Sequence, residues 1–382
     1  MARALLVTSS FLPGRGGIES YLAQLCSALS PSLAVLAPQT REGKPIPSDL
    51  GYPVTGFAPH LLVPGPQTLR LIEATAARHS TRQILFGTPW PLALLGPALK
   101  NRGYSYATVI HGAETTVPGA IPSLGRLVAA SLARADLLLP VSHYTGDRVR
   151  TLLDKHKQPH PPFERLPARV DLGRFQPHID TRQTRDDLGL RDSNKVVLSF
   201  GRLARRKGAH RLIGVWPAIA AAVPEAALVI AGTGPRAGYL RRLARSHDVS
   251  AIFPGRIGES HVPALYASAS VFAFPVVDRW FGLEGEGLGI VLVEAQASEV
   301  ACVTGRSGGT PEAVIDGQTG FVVEATDGDA LTEKITCLLQ DDSLARRFGR
   351  AGRRHVAANF SDRSLPEAFL QWLGKAYDPP TP

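Results

Sequence analysis

Short apolar runs recur along the chain. Ala4–Thr8, Leu33–Ala37, Ile84–Phe86, Tyr106–Ile110 and Leu137–Val141 are too short for helices and show no polar alternation, as strands buried on both faces do. Between them lie segments with apolar residues at helical spacing, such as Ile18–Leu29 and Leu124–Ala133. This alternation is the sequence form of a parallel sheet wrapped by helices. The pattern breaks over 171–187, a polar stretch with Pro177 and no buried run, and predicts a linker at 173–187. A second series follows: Val196–Phe200, Ala227–Ala231, Ala251–Phe253, Val271–Phe274, Ala301–Thr304 and Gly320–Val323. Helices are expected over Gly208–Ala222, Arg236–Ser246 and Gly289–Ser298, and again from after Asp327 almost to Trp372. The expectation is an α/β chain of two doubly wound Rossmann-like domains, 1–172 and 188–360. A C-terminal helix and tail then occupy 361–382, with only Asp378–Pro382 reading as loose.

Composition narrows the class. A length of 382 residues suits two domains, and 44% hydrophobic with 20% charged residues excludes a mostly disordered chain. No run reaches 18 apolar residues, and the uncharged stretch Gln83–Leu99 is broken by Pro89, Pro91 and Pro97. The first twelve residues lead straight into Pro13-Gly14 and read as a strand rather than a signal peptide. Three distant cysteines, Cys26, Cys302 and Cys337, argue against a disulfide framework or metal cluster and for a reducing cytoplasm.

Charge is uneven. Residues 1–180 hold 18 Lys and Arg against 11 Asp and Glu, a net of +7, whereas residues 181–382 hold 24 against 22, a net of +2. The basic half lacks dense cationic clusters with interleaved aromatics, which disfavours nucleic acid. It favours an anionic membrane surface or an anionic lipid, beside the plain reading that basic charge aids solubility. The segment Leu61–Arg82 mixes Leu61, Leu62, Val63, Leu69, Leu71 and Ile72 with Arg70, Arg78 and Arg82. That composition suits a segment resting on anionic lipid, or a helix packed on its own sheet.

Ligands of doubly wound sheets bind beyond the carboxyl ends of the strands, and two such domains place the expected site in the cleft between them. Gly14-Arg15-Gly16-Gly17 lies between the first strand and a helix, where backbone amides can approach a bulky anion. Arg202, Arg205, Arg206 and Lys207 put four cations within six residues after Val196–Phe200, which suits a diphosphate, with Lys207 expected to be exposed. Gly232–Ala237 loosely matches a dinucleotide fingerprint. It is the second element of its domain, however, and the next strand ends in Pro254-Gly255-Arg256, without the acidic residue a ribose needs. An NAD(P)-dependent oxidoreductase rests on this motif alone. Glu286-Gly287-Leu288-Gly289-Ile290, with Glu294 about two turns along a largely apolar helix, is the sharpest feature. A buried carboxylate needs a partner, and two of them can hold different hydroxyl-bearing parts of one ligand. His111-Gly112-Ala113-Glu114 follows a strand and offers a histidine to the cleft. Thr310, Ser142 and Asp327 read as helix caps.

Taken together these residues resemble the family 4 retaining glycosyltransferases of the GT-B fold. The Glu286…Glu294 pair is similar to that family's Glu-x7-Glu signature. Gly16-Gly17, Arg202 with Lys207, the Gly232–Pro235 turn and Gly308-Gly309 follow in the family's order and spacing. The stretches 16–21, 62–66, 91–95 and 286–295 look most like the actinobacterial PimB-type mannosyltransferases, which use GDP-mannose to extend phosphatidylinositol monomannoside. The chain departs from that pattern at Ala113, Ala168-Arg169, Glu299–Ala301 and the loop Asp278–Leu283.

The resemblance implies a set of roles. Glu294 would take the ribose hydroxyls. Glu286 and the amides of Gly287, Leu288 and Gly289 would hold the donor sugar and distal phosphate, with Gly234, Ile257 and Ile290 completing the nucleotide-sugar site. Arg202 and Lys207 would neutralise the departing diphosphate, Gly16 and Gly17 would approach it, and His111 would sit by the sugar. No carboxylate is placed as a nucleophile, so same-face attack is the expected route to retention. No metal or other cofactor is required. The expected partners are the nucleotide sugar, an anionic glycolipid and the inner membrane surface, with the enzyme in the cytoplasm. Another donor such as UDP-N-acetylglucosamine, a non-lipid acceptor and a non-catalytic nucleotide-sugar binder are the remaining alternatives.

Overall fold

The computed structural model describes residues 2–14, 16–41, 44–58, 62–280, 282–361 and 365–374. They divide into two units: the first takes the chain to Arg169 and again from Leu365, and the second begins at Val170.

The first unit is built on a six-stranded parallel sheet. In space the strands run Val54–Phe57, Leu33–Pro38, Ala4–Val7, Gln83–Phe86, Ser105–Ile110, Leu137–Pro140. The second unit repeats this order with Ala251–Gly255, Ala226–Ala231, Lys195–Phe200, Val271–Phe274, Ala301–Gly305 and Gly320–Val323. In both, the chain starts in the middle, winds outward to one edge and crosses back. The switch points fall where Leu5 registers with Ile84 and where Val197 registers with Val271. Central strands such as Ala4–Val7 and Val271–Phe274 are buried along their whole length, which is why they read as unbroken apolar runs. In the second unit Val197, Leu228 and Val271 share one apolar cluster with Trp216, Ile219, Leu331 and Ile335. In the first, Leu5, Leu36, Ile84 and Phe86 share one with Leu69, Ile72, Val128 and Leu132.

One expectation is corrected, and three features are added that the sequence left open. The stretch 173–187 is no linker but part of the second unit. Phe175 is buried with its ring 5.9 Å from Tyr266, Arg182–Asp187 is a helix, and Arg353 Nη1 and Nη2 donate to the carbonyls of Phe175 at 2.6 Å and Leu172 at 3.1 Å. Polar side chains bonded to backbone carbonyls hold it, and these leave no apolar signature. The C-terminal helix expected within 361–382 is Glu367–Gly374. It belongs to the first unit, where Phe369, Trp372 and Leu373 are buried, Trp372 Nε1 donates to Ser105 Oγ at 2.9 Å and Gln83 Nε2 donates to the Trp372 carbonyl. The strand Val54–Phe57 was not anticipated: it is a partly exposed edge containing Gly56, without an apolar run. Finally, the helix Pro66–Arg78 buries Leu69 and Ile72 in its own unit, Leu62 is buried too, and Arg82 stacks over Tyr104 at 4.8 Å. That apolar face is therefore not free to meet lipid. Leu61 and Asp378–Pro382 lie outside the described residues. Among the described residues no helix is long and apolar enough to cross a membrane.

Candidate functional site

The second unit's switch point gathers the polar residues. After Phe200 the chain turns through Gly201 and Arg202, whose side chain is exposed, into a short turn at Arg205–Lys207. Gly208 ends that turn at φ +80°, and a Cβ there would run into the Pro275 carbonyl. Only glycine lets the two loops touch, and this contact seats Arg206 and Lys207 against the loop that follows Val271–Phe274. Lys207 is not exposed as expected. Its side chain is 19% accessible, with Nζ 2.6 Å from Glu286 Oε2 and 4.8 Å above the Phe274 ring. Arg206 Nη1 donates to the same carboxylate oxygen, and its Nε lies 3.4 Å from Glu284 Oε1.

Glu286 is buried. Burial alone would raise its pKa, but the adjacent Lys207 and Arg206 charges outweigh this and hold it down at about 2. Its backbone is anchored as well: its N–H donates to Ser307 Oγ at 3.2 Å, and its carbonyl accepts from Gly309 N–H at 2.8 Å. Ser307 Oγ donates in turn to Asp278 Oδ1 at 2.5 Å. Arg206 and Lys207 thus stand against two carboxylates, Glu284 and Glu286, which hold the cations in place beside the loop.

Gly287 and Leu288 lead to Gly289, which sits at φ +88° as the N-cap of the helix Ile290–Ala297, with no side-chain cap on the first amides. Glu294, on that helix, is buried, and Tyr266 Oη donates to its Oε2 at 2.8 Å. Burial lifts the Glu294 pKa to about 7, against the lowering effect of the Tyr266 bond. Tyr266 is itself fully buried among the rings of Phe175, Phe200 and Phe272. The Gly232–Pro235 turn has a structural reason for its glycines: a Cβ at Gly234 would meet Leu203 O at 2.5 Å, and Leu203 N–H donates to Thr233 O at 2.8 Å. Ile257 is half-buried just beyond the strand Ala251–Gly255. Thr310 is not the cap expected. Gly309 is, while the Thr310 hydroxyl donates to Gly305 O at 2.7 Å and accepts from Ser307 N–H at 3.1 Å. Ser142 and Asp327 do cap their helices, accepting from Thr145 N–H and Ala330 N–H. Among the described residues no group of three or more His, Cys, Asp and Glu could hold a metal ion.

In the first unit, Gly16 is the extended N-cap of the helix Gly17–Ala28, and a Cβ on it would strike the Glu19 carboxylate. A side chain at Gly17 would point into open space. His111 follows the strand Ser105–Ile110, with Nε2 3.1 Å from the Gly87 carbonyl and its ring edge-on to Tyr21 at 4.9 Å. A carbonyl only accepts, so Nε2 carries the hydrogen and Nδ1 is an acceptor. Burial pushes the His111 pKa down to about 4. Glu114 accepts the backbone N–H of His111 and Gly112.

The profile described as "Glycosyl transferases group 1" matches residues 180–355. Over 381 residues the chain is 37% identical to the GDP-mannose-dependent alpha-(1-6)-phosphatidylinositol monomannoside mannosyltransferase of Mycolicibacterium smegmatis, covering 97% of each protein. It belongs to the group 1 glycosyltransferases. This glycosyltransferase is also 36% identical, over 97% of each chain, to the GDP-mannose-dependent monoacylated alpha-(1-6)-phosphatidylinositol monomannoside mannosyltransferase of Corynebacterium glutamicum. Among solved structures it is similar to sucrose-phosphate synthase from Thermosynechococcus elongatus. There the TM-score is 0.81 at 21% identity, over 98% of this chain and all (100%) of that one. It is similar also to WaaG, a glycosyltransferase involved in lipopolysaccharide biosynthesis, with TM-score 0.70 and 17% identity over 97% and 100%. The paired six-stranded parallel sheets with flanking helices are those of the GT-B fold.

The glycosyltransferase brings Lys207 and Glu286 together and sets Glu294 on the adjoining helix, while Arg202 stands apart at the surface. Three residues of this site were not singled out from the sequence. Arg206 stood unranked within a basic run, and only the short turn decides which of its cations faces Glu286. Glu284 and Tyr266 are the others, and Tyr266 lies 28 residues before the carboxylate it holds, with no local signal.

Proposed function

We propose that this glycosyltransferase moves mannose from GDP-mannose to a phosphatidylinositol mannoside, with retention at the anomeric carbon. The observation that carries this is the full-length likeness, at 37% identity, to an enzyme of that description. The site chemistry supports it. Arg206 and Lys207, with Arg202 at the mouth of the loop, would take the charge that builds on the departing diphosphate. Glu286 and the amides at Gly287–Gly289 would hold the sugar hydroxyls and distal phosphate, and Glu294 the ribose. Gly234, Ile257, Leu288 and Ile290 would line the nucleotide, Gly16 and Gly17 would approach the phosphates, and neutral His111 would meet the donor sugar. The acceptor hydroxyl would attack from the face the diphosphate leaves. The bond from the anomeric carbon to the phosphate oxygen breaks as the bond to the acceptor oxygen forms, and a leaving phosphate oxygen takes the proton. These cations would make a divalent metal unnecessary, so turnover should survive EDTA.

The same reading makes the enzyme a cytoplasmic protein, peripheral on the inner membrane face. The +7 balance of residues 1–180, the exposed Arg70 and Arg78 and the exposed Val117, Ile121 and Leu127 support it. Incubation with phosphatidylinositol monomannoside and, separately, GDP-mannose, UDP-glucose and UDP-N-acetylglucosamine, with mass detection of product, tests the proposal. A hexose added from GDP-mannose alone is expected; no product, or product from a UDP-sugar, overturns it. Flotation with anionic vesicles, lost as salt rises, is expected if membrane contact is direct.

A further inference from the structure

The loop that delivers Glu286 carries an aromatic side chain that none of the roles above uses. Arg279 and Glu284 pair across a tight turn, each N–H donating to the other's carbonyl at 3.2 Å. Trp280 stands on this turn at φ +50°, a left-handed conformation uncommon for a bulky residue. Its side chain is 54% exposed, whereas Trp216 and Trp372 are buried and Trp90 is half-buried. Charged contacts hold the indole. The Arg279 guanidinium lies 4.6 Å from the ring centre, Arg279 Nη1 is 3.3 Å from Glu284 Oε2, Glu284 Oε1 is 3.4 Å from Arg206 Nε, and Arg206 donates to Glu286. The ring is therefore linked, through Arg279, Glu284 and Arg206, to the carboxylate assigned to the donor sugar. Core packing does not explain an exposed indole on a left-handed backbone; a ligand does.

We propose that Trp280 is a stacking platform for a sugar ring of the acceptor. A pyranose has one face of C–H bonds and a rim of hydroxyls. The indole offers a flat apolar face to the first, and Arg279 and Glu284 offer a donor and an acceptor to the second. Proximity selects the acceptor. The contact chain Arg279–Glu284–Arg206 joins the Trp280 turn to Glu286, the carboxylate assigned to the donor sugar, and the ring that must come up to that sugar is the one to be extended. This inference rests on the proposed function.

Glycine fits the left-handed position without strain, so Trp280→Gly removes the ring with the turn intact, and Trp280→Phe restores an aromatic face. With phosphatidylinositol monomannoside in detergent micelles, Trp280→Gly should raise the acceptor KM about tenfold. Trp280→Phe should recover most of the loss, and the GDP-mannose KM should stay within about twofold of the parent value. Tryptophan emission of the parent protein should shift saturably with these micelles but not with micelles of mannose-free anionic phospholipid. An unchanged acceptor KM, a rise in the GDP-mannose KM instead, or an equal emission shift with mannose-free lipid overturns the proposal; the last would make Trp280 a membrane contact. Should the parent enzyme transfer only to some other glycoside, the proposed function fails. The same Trp280 series on that glycoside then tests the platform separately.

Discussion

Glu294 gives nucleotide-sugar binding a pH dependence whose size follows from its surroundings. Burial gives the carboxyl a pKa of about 7 in the folded protein, against the ordinary glutamate value of 4.5. Ribose hydroxyls donate hydrogen bonds, so they favour the ionised carboxylate, and binding must expel the proton wherever Glu294 is protonated. Affinity for GDP-mannose should thus be level above about pH 8 and fall about tenfold per unit below pH 6. At pH 7 binding should release about half a proton, read by titration calorimetry in buffers of different ionisation enthalpy. GDP-mannose is the right probe because its diphosphate is esterified at both ends and does not titrate in this range. Glu294→Gln should bind more weakly at pH 8 and lose the pH dependence. Tyr266→Phe removes the hydrogen bond that lowers the pKa, so its transition should move to higher pH. Affinity independent of pH in the parent, or the same dependence in Glu294→Gln, would refute the reasoning.

Stability of the free protein should carry the same group with the opposite sense. Glu294 holds its proton more tightly folded than unfolded, so its contribution is full below pH 4.5 and is lost as pH rises through about 7. Glu294→Gln should accordingly gain in Tm over the parent between pH 6 and pH 8, and a constant difference would contradict the burial effect. Lys207→Ala should lower kcat/KM by roughly 10²–10³, about 3–4 kcal/mol, with the fold retained because Arg206 still holds Glu286. An unaltered rate would remove Lys207 from the mechanism. Gly208→Ala should cost at least about 2 kcal/mol in denaturant unfolding, whereas Gly214→Ala, with no atom within 4 Å of its Cβ, should be neutral or stabilising. With its pKa down at about 4, His111 stays neutral from pH 6 to 9. His111→Asn should therefore lower the rate without changing the shape of the pH–rate profile in that range.

What could be read in the sequence was set by the range of each interaction. The strands flanking both switch points are buried on both faces, and Val271–Phe274 and Gly320–Val323 lie where their apolar runs place them. Glu286 and Glu294 stood out because a carboxylate amid Val291, Leu292, Val293 and Ala295 is a local contradiction. Their partners were hidden for the converse reason. Tyr266 looks like any apolar helix residue, and the ranking of Arg202, Arg206 and Lys207 depends on the Gly208–Pro275 contact, 67 positions apart in the chain. The edge strand Val54–Phe57 escaped notice, and the stretch 173–187 was read as a linker, because hydrogen bonds, and not apolar runs, define them.

The return of Glu367–Gly374 to the first unit has a consequence for how the protein is made. The first unit opens the chain, yet Phe369, Trp372 and Leu373 leave the ribosome only after the whole second unit has been synthesised. Until then the Ser105 hydroxyl and the Gln83 amide wait for the Trp372 groups they bond. Synthesis order and completion order are thus inverted: the second unit can close during translation, while the first is finished last. A gene fragment ending at Arg169 would encode a unit with an open apolar seat, and a stop codon just before Leu365 would injure the part of the protein translated first.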